Sequence, residues 1–193
     1  MFMKESHSKF EAIIISIGMV VLAGLFVNIG NVFALFWSVD NQMIINCILA
    51  FSSSVGFIAI PLLFLHLLGF KFIKPKFNIV FAIILLIVIL FISIFVFKSG
   101  ETIHALIIAT CEEFLFRGII LSVLLSCFTK REAFILGSLV FAILLHLNGD
   151  FLLNFVVKFP ASIILYILAD YFGLQSSIAF HWLYNICVGF FLG

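Results

Sequence analysis

The chain has 193 residues, is 65% hydrophobic and 10% charged, and carries a net charge of +1 at a mean hydropathy of +1.39. A soluble domain holds about 25% charged residues, so this composition excludes one and predicts a polytopic membrane protein whose first partner is the lipid bilayer. The near-neutral balance argues against nucleic acid as a partner.

A helix needs about 20 apolar residues to cross a bilayer. Seven candidate spans follow in order, at 12–37, 43–68, 77–97, 102–128, 133–147, 151–169 and 174–192. The predicted fold is all-α, a transmembrane bundle of about seven helices. The first span follows Lys4 and Lys9, as a signal peptide would. It lacks a small-x-small cleavage site and is long enough to span, so a retained helix is expected. The fifth span is short, with its hairpin turn expected at 129–132. The sixth contains Lys158 and Pro160, and a kink or a partly re-entrant path is expected there. Short connections predict antiparallel neighbours. Cys47, Cys111, Cys127 and Cys187 all fall in apolar runs and read as buried thiols rather than a disulfide framework or a metal cluster.

Loop charges give the orientation. The amino terminus, the second connection and the fourth hold Lys4, Lys9, Lys71, Lys74, Lys76, Lys130 and Arg131. The opposite ends hold Lys98 beside Asp40, Glu101 and Asp150. The positive-inside bias then predicts a multi-pass cell-membrane protein with a cytoplasmic amino terminus.

The fourth span carries "TCEEFLFRGII", Thr110 to Ile120. An ionised side chain at mid-bilayer costs roughly 2.5–3.5 kcal/mol on insertion scales, so three of them in one run need a reason. Glu113 and Arg117 are four apart and share a helix face, where a pair lowers the desolvation cost of both. Glu112 is rotated about 100° away and has no such local partner. A carboxylate of that kind suits general acid–base work. Counting from Lys130, Glu112 lies 18 residues before the turn and His146 lies 16 after it, which brings the two to within about 3 Å of the same depth in an antiparallel hairpin. The seventh span carries "FHWLYN". His181 and Asn185 share a face and supply two donors of the kind that stabilise an oxyanion. By simple counting His181 is shallower than Glu112. A lone intramembrane His or Asn is most often helix–helix glue; two Glu, an Arg, two His and an Asn on three spans exceed what glue requires.

The order Glu112-Glu113-x-x-x-Arg117, a His on the next span, then His181-x-x-x-Asn185 resembles the CAAX-protease and bacteriocin-processing (CPBP, or Abi) family of intramembrane glutamic endopeptidases. The resemblance covers 102 to the carboxyl terminus. It implies that 102–193 is a catalytic core with an intramembrane cavity, preceded by three helices over 1–101. It implies that Glu112 and His146 activate a water, that His181 and Asn185 form the oxyanion hole, and that Glu113 and Arg117 organise the site. No cofactor and no metal are needed in that mechanism, and the partner is a peptide or protein substrate. One departure stands out. The family's second motif reads Phe-x-x-x-His, whereas here Phe141 precedes His146 by five and Ala142 occupies the aromatic position.

Rival chemistries fit less well. Zinc proteolysis would want a His-Glu-x-x-His or an equivalent cluster. Asp150 and Asp170 resemble an aspartyl dyad but fall at opposite faces in this topology, and each reads as a solvated helix-end residue. His7, His66 and His104 read as tail, packing or rim residues. A proton or ion carrier would show acidic groups on more spans or inverted repeats. The alternative to an enzyme is a non-catalytic bacteriocin self-immunity or membrane partner-binding protein.

Overall fold

A computed structural model describes residues 7–144 and 151–192. Among these the chain is all-α, with seven helices and no strand. We number them α1 (Lys9–Phe36), α2 (Gln42–Leu67), α3 (Ile79–Phe97), α4 (102–125), α5 (Lys130–Leu144), α6 (Phe151–Phe172) and α7 (Leu174–Leu192). Among the described residues, four stretches are long and apolar enough to cross a membrane: α1, α2, α3 and Asn154–Phe172 of α6.

The helix ends are set by caps. Ser8 accepts from the Glu11 backbone while Glu11 reaches back to the Ser8 N–H, a reciprocal box that starts α1. Thr129 and Glu132 repeat it at α5, where the Glu132 carboxylate accepts from the Thr129 N–H and hydroxyl, each at 2.8 Å. The hairpin turn therefore falls just before Lys130, not over 129–132 as apolar content suggested. α6 runs unbroken through Pro160 from Phe151 to Phe172, which corrects the re-entrant expectation. Pro160 is exposed, so its ring points away from the packed bundle. A single residue, Gly173 at φ +94°, separates α6 from α7, a left-handed turn that glycine adopts without strain.

α4 is the central helix. Leu115, Phe116, Ile119, Ile120 and Val123 are fully buried, and α4 packs against α1, α2, α5 and α7. Its first turns reach the surface at Ile103, but the stretch that carries Glu112, Glu113 and Arg117 is buried, which is why it tolerates charges. The outer helices show the reverse pattern. Ile83, Ile87 and Phe91 of α3 are exposed, as expected of a surface that faces acyl chains.

Six of the basic loop residues lie on connections that meet at one end. The Cys127 thiol donates to the His7 carbonyl at 3.1 Å, and His7 stacks on Phe70. The Ile73 N–H reaches the Ser122 hydroxyl at 2.9 Å, and the Leu174 N–H reaches the Lys76 carbonyl at 2.8 Å. Lys130 pairs with Asp170 at 2.6 Å. Thus Lys9, Lys71, Lys74, Lys76, Lys130 and Arg131 share one end of the bundle, as alternating crossings require.

Candidate active site

The site forms where α4 meets α5, α6 and α7. Its level is fixed by Trp182, whose indole N–H donates to the Thr102 carbonyl at 2.9 Å, while the Thr102 hydroxyl also meets Ser93 of α3. The middle of α7 thereby lies against the first half of α4, and the depth mismatch counted between His181 and Glu112 disappears.

His181 lies between the two carboxylates. Its Nδ1 is 2.8 Å from Glu113 Oε1, and its Nε2 is 3.7 Å from Glu112 Oε2. Glu113 is 0% exposed and Glu112 8%. Glu113 Oε1 also lies 3.2 Å from Arg117 Nη1, with both side chains fully buried. The contact with Arg117 is an ion pair, and the carboxylate oxygen accepts its hydrogen bond from the imidazole nitrogen beside it. The assignment of that proton to Nδ1 follows from this network. Glu112 Oε2 makes no hydrogen bond among the described residues.

Arg117 is held from three directions. Its Nη2 donates to the Ser162 carbonyl at 3.1 Å and to the Ser162 hydroxyl at 2.9 Å. Its guanidinium lies 4.5 Å from the Tyr166 ring centre and 5.1 Å from that of Phe141. Tyr166 in turn donates to the Phe116 carbonyl at 3.0 Å. That carbonyl belongs to a π-helical stretch, Phe114–Ile120, and such widened turns recur at functional sites.

The structure thus brings together Glu112, Glu113, Arg117 and His181. Asn185 follows one turn along α7, half-buried and without a side-chain hydrogen bond among the described residues. His146 lies outside the described residues. Phe141, displaced by one in the motif, still touches the site, edge-on to His181 at 6.0 Å and to Phe116 at 5.0 Å. Sequence reasoning missed Ser162 and Tyr166. Their signal was present as two polar side chains four apart in a largely apolar helix. A cavity of about 650 Å³ between α1 and α2 is lined by apolar residues such as Phe26, Phe33 and Phe51 and holds none of these groups. It is a groove in the outer surface, remote from the chemistry.

No curated protein and no solved structure matches the chain. A family model described as type II CAAX prenyl endopeptidase, Rce1-like, matches residues 102–187. That stretch holds α4 to α6, α7 as far as Cys187, and every polar group of the site. Over residues 102–187 the chain is therefore similar to the Rce1-like CAAX prenyl endopeptidases, which is the CPBP resemblance its motifs carry, and the match supports a membrane protease role.

Proposed function

We propose that the chain is an intramembrane endopeptidase of the glutamic type, with 102–193 as its catalytic core, cleaving a membrane-associated protein or peptide by an activated water. The observation that supports it most is Glu112 Oε2, buried, without a hydrogen-bond partner among the described residues, and facing His181 Nε2 across 3.7 Å. A water there would lose a proton to the Glu112 carboxylate as its oxygen adds to the scissile carbonyl carbon. The carbonyl oxygen becomes an oxyanion, which the Asn185 amide would meet together with His181 Nε2, the latter as the N–H of an imidazolium whose Nδ1 proton stays hydrogen-bonded to Glu113. Collapse breaks the C–N bond, and the proton held by Glu112 passes to the departing amine. The resemblance assigns His146 as the partner of Glu112 in activating the water. Glu113, Arg117 and Ser162 would position His181, since they reach the substrate only through it. No metal takes part in these steps.

The test is cleavage of prenylated and unmodified peptides by the purified protein in liposomes. Glu112→Gln is expected to lower turnover by about 10²–10⁴ with an unchanged thermal transition, and wild-type activity is expected to survive strong chelators. Wild-type turnover in Glu112→Gln would overturn the assignment. Activity lost to a chelator and restored by zinc would replace it with a metal-bound water.

A further inference from the structure

The polar stripe of α6 extends beyond the residues that hold Arg117. Asn154, Lys158, Ser162 and Tyr166 recur at every fourth position and so share one helix face. Ser162 and Tyr166 end on Arg117 and the Phe116 carbonyl. Lys158 lies one turn nearer the helix start. It is half-buried and lines a narrow cleft with Phe141, His181 and Tyr184. Its ammonium is 4.7 Å from the Tyr184 ring centre, and its charge acts on Glu112.

A lysine within a span usually snorkels to the headgroups. This one instead turns onto the residue next to Asn185, inside the cleft. It forms no ion pair among the described residues, and one cation–π contact offsets only part of the cost of placing it there. Structural support for Arg117 does not require it, because Ser162 and Tyr166 already supply that. Glu112 offsets this charge from a distance, but the ammonium makes no contact ion pair and no hydrogen bond among the described residues, so its donors are open to an anion that arrives with the substrate.

We propose that Lys158 is a substrate-anchoring residue whose ammonium takes a carboxylate of the bound peptide, at the end of the cleft that leads to His181. The proposal rests on the peptidase reading for its choice of ligand. The carboxylate would come from a free carboxyl terminus or from an acidic side chain near it. In either case it fixes which peptide bond reaches Glu112.

The test compares three prenylated peptides: one with a free carboxyl terminus, its terminal amide, and the amide carrying one Glu near the end. Cleavage kinetics are measured on wild type, Lys158→Met and Lys158→Arg, and equilibrium binding of the fluorescently labelled peptides on Glu112→Gln with and without Lys158→Met. Wild type is expected to favour a carboxylate peptide over the plain amide by about ten- to a hundred-fold, the range of one charge-assisted hydrogen bond. Lys158→Met should erase that preference through KM, and Lys158→Arg should keep most of it. Tight binding of the Glu-bearing amide identifies a side-chain carboxylate; tight binding of the free terminus alone identifies the other source. A preference that survives Lys158→Met, or no preference in wild type, overturns the anchor. If no peptide is cleaved but binding still shows a carboxylate preference that needs Lys158, the peptidase reading falls and the anchor stands.

Discussion

Arg117 shows what a buried charge requires. It has an ion pair with Glu113, two hydrogen bonds to Ser162 and the rings of Tyr166 and Phe141 around it. Removing one member of such a pair costs about 3–5 kcal/mol, mostly because the other is left buried alone. Arg117→Ala is therefore expected to lower the thermal transition as well as turnover. A variant with wild-type stability and no activity would instead assign Arg117 to the substrate. The Glu113–Arg117 pairing was legible in the sequence because both lie on one helix, four apart. The Glu113–His181 contact was not, since 68 positions separate the two and only the packing of α7 on α4 brings them together.

The same limit appears among the helices. Hydropathy located seven of them, yet the starts of α1 and α5 came out three residues late, because Lys9, Phe10 and Glu11, and then Lys130, Arg131 and Glu132, are mostly polar. The boxes Ser8-x-x-Glu11 and Thr129-x-x-Glu132 were the better signal. Glu132 also carries a pH dependence. The Thr129 backbone N–H, then its hydroxyl, hold the exposed carboxyl below its usual range. A carboxyl lowered in the folded state adds stability that is present above its unfolded value and lost as pH falls through the folded one. The difference in thermal transition between wild type and Glu132→Gln should accordingly shrink as pH drops through the acidic carboxylate range, and a constant difference would sink the idea. Gly137 of α5 makes a stricter prediction. A Cβ there would fall 2.1 Å from the Tyr166 hydroxyl, and Tyr166 is buried with no room to retreat. Gly137→Ala should destabilise by about 1–3 kcal/mol and break the Tyr166–Phe116 bond, read as a lowered thermal transition that Tyr166→Phe partly restores.

Across the whole molecule, the sequence carried the class, the alternation of charged ends and the family pattern of 102–187, because each follows from composition or spacing along one chain. The π-helical turn of α4 and the contacts that Ser162 and Tyr166 of α6 make with it needed the assembled bundle, since neither follows from spacing along one helix. The burial of the site has a consequence for its second reactant. Each bond hydrolysed consumes one water, and of the two carboxylates only Glu112 retains any surface, at 8% against 0% for Glu113. The supply of water to such a site is set by its thermodynamic activity outside, transmitted through a cleft a few side chains wide. Hydrolysis should then respond to osmotic stress. Polymers too large to enter the cleft are expected to slow single-turnover cleavage in proportion to the osmotic pressure they exert, while peptide binding holds steady, so that dehydration of the medium acts on the proposed peptidase as a competitor for its smallest substrate.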